Sequence, residues 1–351
     1  MTWSEIAINV GLVFGFSTSL FLDTLTDDVA WRVMFLLGAI LPTIMIFLVL
    51  TVMPESPRWL VSKNRTAEAR DILQRTYPQG YDVDPVIEDI ESALELERDA
   101  EQTIGWGVIF RPSPAFRRML LVGIGTAVAQ QFVGIDAIQY YLVDVIVESG
   151  IHSKEQQSLV LIFLGMLKLI FVVVGSKLFD RSGRRPLLFI SLLGMTGALC
   201  LVSASFYING RFGAKFNIAG LALYLAFFSI GMGPGAWLVP SEVFANCVRG
   251  KAMSVAAFLN RLAATIMASS FLSVAEAIGW SGYFLTLAIA STVVFGLMHN
   301  YLPETKGRSI EDMSSYFAEI TNDTSVLEAE AKIRRRQEYG NENPGCDLEL
   351  T

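Results

Sequence analysis

Six polar side chains lie between residues 130 and 141 of one apolar stretch of the chain, residues 120–147, where they could form a binding site. They are Gln130, Gln131, Asp136, Gln139, Tyr140 and Tyr141. The stretch is long enough to cross a bilayer as a helix. A carboxylate in hydrocarbon is costly, so Asp136 is expected to face a cavity or a charged partner. The stretch therefore predicts a polar site inside a membrane.

The spacing of these residues indicates that their helix is broken. At about 100° per residue, one face would carry Gln130, Gly134 and Tyr141, and the opposite face Asp136, Gln139 and Tyr140. A break near Gly134 would turn both sets toward one cavity, as in the broken helices around transporter substrate sites. The alternative is an unbroken buried helix whose polar groups only hydrogen-bond to neighbouring helices.

The composition is that of an integral membrane protein. Of 351 residues, 52% are hydrophobic and 17% are charged, whereas soluble domains carry about 25% charged residues. The net charge of −7 lies in loops and tail and predicts no nucleic-acid partner. Three cysteines without metal-ligand spacing predict no metal site. The sequence has no P-loop, HExxH, GxSxG or Rossmann motif, so neither an ATP-driven pump nor an enzyme is expected, and no cofactor.

Apolar runs of spanning length predict an all-α fold with eight transmembrane helices. They lie at 6–22, 31–53, 116–147, 159–179, 187–209, 218–240, 252–278 and 281–302. Lys and Arg are concentrated in alternate loops, around residues 58–75, 177–185, 249–251 and 306–308. Because cytosolic loops carry the excess of basic residues, these loops and both termini are predicted to be cytosolic.

The runs divide the chain into four parts. Residues 1–53 hold two spans, and residues 54–115 form a polar cytosolic segment with helices predicted at 66–75 and 84–102. Residues 116–302 hold six spans, and 303–351 form a cytosolic tail.

Three cytosolic strings then point to a family. They are PESPRWL at 54–60, DRSGRRP at 180–186 and PETKG at 303–307, which occur together with Gln130-Gln131 and Gly134-Ile135-Asp136. In this combination the chain resembles the sugar porter family of the major facilitator superfamily from about residue 4 to 316. That family has twelve spans in two six-helix halves. The resemblance covers only the last eight, so we expect a partial fold that lacks the first four spans.

The resemblance implies a substrate site in the membrane. Its predicted residues are Gln130, Gln131, Asp136, Lys168, Trp237 and Asn260. An amide offers both a donor and an acceptor, which suits hydroxyl groups. Trp237 has an alternative interpretation as an aromatic residue of the membrane interface. Tyr140 and Tyr141 match the aromatic pair that closes the outer side of the family's cavity.

Lys168 lies in the middle of an apolar span, where the family usually has Asn. A buried lysine without an anion nearby would lose its proton. Asp136 in the preceding span could neutralise it, so we expect a direct Asp136–Lys168 ion pair. The alternative is that each residue binds its own waters.

A second charged set is predicted to latch the cytosolic helix ends, since arginine pairs bidentately with carboxylates. It comprises Asp180, Arg184, Arg185, Glu242 and Arg249. The alternative is that these arginines only set the orientation of the spans in the membrane.

The predicted function is transport of a sugar or polyol by alternating access, with the lipid bilayer and protons as further partners. The plasma membrane is the expected location. A different class of function remains open, namely a sugar sensor without transport or an inactive truncated fragment.

Overall fold

A computed structural model describes residues 2–22, 26–78, 80–103, 105–208 and 211–342. Within these ranges the regular elements are all helices. They are α1 (Thr2–Phe21), α2 (Asp27–Thr51), α3 (Pro57–Ser62), α4 (Thr66–Thr76), α5 (Asp84–Thr103), α6 (Gly107–Phe110), α7 (Pro114–Phe132), α8 (Ile135–Tyr140), α9 (Leu142–Glu148), α10 (Lys154–Ser182), α11 (Arg184–Ser205), α12 (Arg211–Phe227), α13 (Gly233–Val243), α14 (Arg249–Tyr301), α15 (Ile310–Thr321) and α16 (Ser325–Glu342). A π-helical turn, Phe228–Met232, joins α12 to α13.

Among the residues that the structure describes, six helical stretches are long and apolar enough to cross a membrane, and one of them is double. Helix α14 has 53 residues, about twice the length needed for one crossing. It is interrupted at Gly279, where φ is 79° and ψ is 156°. The rings of Phe271 and Tyr283, on either side, lie 4.6 Å apart, so the chain turns back there. Together with the shorter apolar helix α1 this gives eight apolar passes, which confirms the predicted all-α membrane fold.

Small residues allow the spans to pack closely. Helices α7, α11 and α14 form the centre of the bundle, and α1 packs on α10. A Cβ atom at Gly175 in α10 would lie 2.7 Å from the carbonyl oxygen of Ser229. In a bilayer the hydrophobic effect does not hold helices together, so they depend on close van der Waals packing, which glycine permits.

The helices predicted at 66–75 and 84–102 are confirmed as α4 and α5. They form small apolar clusters, one of which joins Leu60 and Val61 of α3 to Ala69 of α4. A capping box of Ser309 and Asp312 starts α15, as the N-terminal turn of a helix requires.

The tail is joined to α7 through Asp323, whose Oδ2 accepts from the Ala115 N–H at 2.9 Å. That hydrogen bond, with others from Ser113 and Ser325, lowers the pKa of Asp323 to about 2. The tail therefore packs against the start of the third span through a carboxylate that stays ionised.

The close approach at Gly175 can be tested by adding one methyl group. We expect Gly175→Ala to lower the free energy of unfolding by about 1–3 kcal/mol, because the new Cβ would meet backbone atoms that cannot rotate away. Gly197→Ala is the matched control, since a Cβ there meets nothing within 4 Å. Thermal unfolding in detergent measures both, and equal stabilities for the two variants would contradict the packing described here.

Candidate functional site

The predicted break near Gly134 is confirmed. The helix stops at Phe132 and restarts at Ile135, and Gly134 has φ of 90°. A side chain there would also meet Leu287, since its Cβ would lie 2.7 Å from Cδ1. Glycine suits both demands because it alone adopts positive φ without strain. The carbonyl of Val133 accepts from the hydroxyl of Tyr224 at 2.9 Å, so a backbone group beside the break has a partner.

A second irregular segment lies opposite, in the π-helical turn of the sixth span. There the Ser191 hydroxyl donates to the Phe227 carbonyl at 2.7 Å and accepts from the Met232 N–H at 3.0 Å. One side chain of α11 thus partners two backbone groups of the turn. Such π-helical turns are frequent at functional sites.

A network of three buried amides joins these segments. Gln130 Nε2 donates to the Gly233 carbonyl at 3.0 Å. Asn260 Nδ2 donates to Gln130 Oε1 at 3.2 Å and to the Ala127 carbonyl at 2.6 Å. Gln131 Nε2 donates to Asn260 Oδ1 at 3.4 Å. The structure therefore brings together three residues predicted for the substrate site.

The network leaves one acceptor open. Gln131 is 2% exposed, yet its Oε1 has no hydrogen-bond partner in the described structure. Buried polar atoms are normally partnered, and an unpartnered one costs about 1–3 kcal/mol. A ligand hydroxyl could donate to this oxygen. Trp237 lies four residues after Gly233, on the same side of α13.

The predicted aromatic pair is separated. Tyr141 is partly buried and stacks on Phe271, with ring centroids 4.7 Å apart. Tyr140 is 66% exposed. The two side chains diverge because a further interruption of the helix lies at Tyr141. Of the two tyrosines, Tyr141 therefore contacts α14.

The predicted direct Asp136–Lys168 pair is wrong for this structure. The Lys168 ammonium donates to Gln139 Oε1 at 2.8 Å, and Asp136 Oδ2 lies 3.5 Å from Arg261 Nη1. Asp136 and Gln139 are three residues apart on α8, so they are neighbours on one face. Lys168 approaches that face from α10 and reaches the amide, whereas Arg261 reaches the carboxylate from α14.

Glu5 of α1 is a charged residue of this region that the sequence analysis missed. Glu5 and Lys168 interact electrostatically, and Asp136 also interacts electrostatically with Lys168. Glu5 shares one face of α1 with Asn9 and Phe16, and the side chain of Phe16 contacts Gly165 of α10. The signal was available, since Glu5 is an acid on the packed face of an apolar helix.

A bidentate ion pair forms the core of the charged set at the helix ends. Arg184 donates from Nη2 and Nε to Glu242, with a shortest distance of 2.8 Å. The Thr305 hydroxyl donates to Glu242 Oε2 at 2.5 Å. This set ties α11 to α13 and to the segment after α14.

Glu304, from the same segment, caps the start of α11. Its two oxygens accept from the backbone N–H groups of Arg184 and Arg185 at 3.0 and 3.1 Å. A carboxylate at a helix N-terminus is favoured because those groups have no partner within the helix. We call Arg184, Glu242, Glu304 and Thr305 the clasp. Arg185 donates from Nη2 to the His299 carbonyl at 2.7 Å.

Arg249 does not join the clasp, contrary to the prediction. It lies on a separate cleft of about 1240 Å³ with Glu311 and Glu330, and its Nε and Nη2 are buried without a hydrogen-bond partner in the described structure. Arg249 is the first residue of α14, and the residues that line its cleft do not include Arg184, Glu242, Glu304 or Thr305. The side chain of Asp180 lies outside the described residues.

Comparison with known proteins gives a consistent family. A family model described as "Sugar (and other) transporter" matches residues 1–317. The Arabidopsis thaliana protein "Probable polyol transporter 4" is 34% identical over 346 residues, which cover 96% of this chain and 65% of that protein. Polyol transporter 5 of the same plant is 32% identical over 336 residues, which cover 90% of this chain and 62% of that protein.

A solved structure gives the same fold. The major facilitator superfamily proton:xylose symporter XylE, bound to 6-bromo-6-deoxy-D-glucose, is 26% identical with a TM-score of 0.69. The match covers 90% of this chain and 66% of XylE, which comes from E. coli. This chain thus spans less than two thirds of the length of each of these proteins.

The cap on α11 predicts a pH-dependent stability. Burial alone would raise the pKa of Glu304, but hydrogen bonds from the N–H groups of Lys306, Arg184, Arg185 and Thr305 hold it below its usual value. Because the folded pKa is lowered, the ionised cap contributes fully above the ordinary Glu pKa of about 4.3. That contribution is lost as the pH falls through the folded value.

We expect Glu304→Gln to lower the free energy of unfolding at neutral pH by about 1–3 kcal/mol, as for a hydrogen-bonded charge. The difference in free energy of unfolding between the variant and the unaltered protein should narrow as the pH falls below about 4, because the Glu304 carboxylate then becomes protonated. Thermal unfolding across this pH range measures it. Glu319→Gln, at an exposed position, is the control. A difference that stays constant with pH would show that Glu304 does not act as a charge.

Proposed function

Because this chain belongs to the sugar transporter family of the major facilitator superfamily, we propose that it transports a sugar or a polyol across a membrane by alternating access. The observation that carries the proposal is the buried amide network with its open acceptor on Gln131. The relatives named polyol transporters favour a polyol. The proposal includes a plasma-membrane location and cytosolic placement of both termini, residues 54–115 and residues 303–351.

The chemistry of the site suits hydroxyl groups. A hydroxyl donates and accepts, and so does each amide of Gln130, Gln131 and Asn260. In the present structure these amides mainly satisfy one another and the backbone. A substrate hydroxyl that donates to Gln131 Oε1 would complete the network without displacing its other bonds. The indole ring of Trp237 is proposed to cover one face of the carbon chain or ring.

The two irregular segments are proposed as the points where the site opens and closes. Gln130 precedes the break at Gly134, and its partner Gly233 follows the π-helical turn. Movement of either segment would therefore alter the amide network directly. The clasp is proposed to hold the helix ends while this movement occurs, because its members belong to three separate segments.

Proton linkage is proposed to involve the charges of α1, α8 and α10. Asp136 has Arg261 beside it and Lys168 within electrostatic reach. Among the described residues, Lys168 is the cation whose charge acts on Glu5. Because Glu5 has fewer cations near it than Asp136, we propose that Glu5 exchanges the coupled proton. Lys168 then serves as the counter-ion of Glu5. Its hydrogen bond to Gln139 would couple protonation of Glu5 to the position of α8.

The amide site is tested by Gln131→Leu, which keeps the size of the side chain and removes its hydrogen bonds. We expect the substrate concentration that gives half-maximal uptake to rise about tenfold or more, because a hydrogen bond to substrate is lost. Labelled sorbitol, inositol and glucose are offered to the chain completed with the four upstream spans that the resemblance calls for.

Gln156→Leu is the control, since Gln156 is exposed at the start of α10. Unchanged half-saturation for every substrate in the Gln131 variant would remove this site from the proposal. Binding of a polyol without uptake by the unaltered protein would favour the sensor function instead.

The proton site is tested by Glu5→Gln in the same completed protein. Uptake by the unaltered protein should rise as the outside pH falls from neutral to mildly acidic, and this rise should vanish in the variant. Exchange of labelled for unlabelled substrate at equal pH on both sides should persist, because it needs no net proton movement. A variant with the full pH response would show that another acid carries the proton, and Glu155→Gln at the exposed start of α10 controls for loss of charge.

A further inference from the structure

A pocket of about 280 Å³ lies beside the clasp, and its wall carries three arginines. Arg118 comes from α7, Arg185 from α11 and Arg308 from the segment before α15. Asn300 and Tyr316 also line it. The pocket is separate from the amide network and from the cleft at Arg249.

Each of these guanidinium groups is stacked on an aromatic ring. Arg118 lies 4.3 Å from the ring centroid of Tyr301, and Arg308 lies 5.0 Å from that of Tyr316. Arg185 lies 5.2 Å from the ring centroid of Phe189. Stacking occupies the face of a guanidinium and leaves the N–H donors at its edge. The rings therefore orient the arginines without using their hydrogen-bonding capacity.

Within the described residues, no carboxylate is in ion-pair contact with any of the three arginines. Glu304 lines the pocket, but its oxygens accept from the N–H groups of Arg184, Arg185 and Lys306. Asp312, whose charge interacts with Arg308, is engaged in the capping box of α15. The pocket thus has three cations whose nearby carboxylates are committed elsewhere.

One donor is also left unused. Arg185 Nη2 donates to the His299 carbonyl, but its Nε is buried without a hydrogen-bond partner. Buried donors of a charged group are costly when unpaired, and like charges gathered around one cavity repel each other. An anion in the pocket would remove both costs. Its oxygens would have to accept from several planar guanidinium edges, which is the property of a phosphate group.

We propose that this pocket binds a phosphate group, carried either by a lipid headgroup or by a soluble phosphate. The pocket lies where α14 ends, and Tyr301 there is a residue type common at the membrane interface. A ligand bound to Arg185 would lie next to the Glu304 cap of α11. Occupancy would offset the repulsion among the three guanidinium groups and so stabilise the folded protein, whichever substrate it carries.

The test uses purified residues 1–351 in two forms. In neutral detergent, the melting temperature is followed as inorganic phosphate is added at constant ionic strength, with chloride as the reference anion. In phosphatidylcholine nanodiscs, the same measurement is made with and without phosphatidic acid. The double variant Arg118→Gln/Arg308→Gln removes two guanidinium groups. Arg117→Gln is the matched control, because Arg117 adjoins Arg118 but does not line the pocket.

We expect phosphate or phosphatidic acid to raise the melting temperature of the unaltered protein and of the Arg117 variant. The concentration needed should increase by at least about tenfold in the double variant, as each lost charged hydrogen bond weakens binding. A response to phosphate assigns a soluble ligand, and a response to phosphatidic acid alone assigns a lipid headgroup.

Equal responses of the double variant and the Arg117 control would overturn the proposal, and so would no response of the unaltered protein to either probe. Arg308→Gln alone is included because Arg308 lies in an exposed segment outside the spans, where its loss should leave the fold intact. If the double variant does not fold, the single variant must show the weaker binding, or the proposal is wrong.

Discussion

Inside a bilayer, polar backbone groups that lack a partner in their own helix must find one elsewhere in the protein. In the part of the chain that the structure describes, two spans have irregular segments, the break at Gly134 and the π-helical turn, and a neighbouring span supplies a partner at each of these two points. Tyr224 supplies a hydroxyl at the break before Gly134, and Ser191 supplies one at the π-helical turn. Because Gln130 then bonds across to Gly233, the polar site depends on both interruptions remaining partnered.

Charged side chains also need partners within the protein, and in this structure they find them in two different ways. At the ends of the spans, Arg184 and Glu242 meet in a bidentate geometry, and further hydrogen bonds join them to the Phe179 carbonyl and the Thr305 hydroxyl. Deep in the bundle, Lys168 donates a hydrogen bond to an amide, and the carboxylates act on it from a distance. The first arrangement favours one fixed structure, whereas the second leaves the charges able to change partners.

The sequence was informative wherever the decisive pattern lies within one segment. Apolar run length predicted the spans, and the conflict between the two faces around Gly134 predicted the break. It was less informative for contacts between helices. The rotation and register of α10 against α8 decide that Lys168 meets Gln139 rather than Asp136, and packing sets these quantities. Glu304 was missed as a cap because a residue 120 positions from Arg184 has no local signature.

That long separation also bears on how the protein is made. A ribosome releases the start of α11 long before it adds Glu304, so the N–H groups there begin without their carboxylate. The last span must be synthesised and threaded into the membrane before the segment that follows it can close over α11. Completion of this end of the bundle is therefore among the final steps of biogenesis. A nascent chain that stalls before residue 304 would expose this uncapped helix end to the quality-control machinery of the cell.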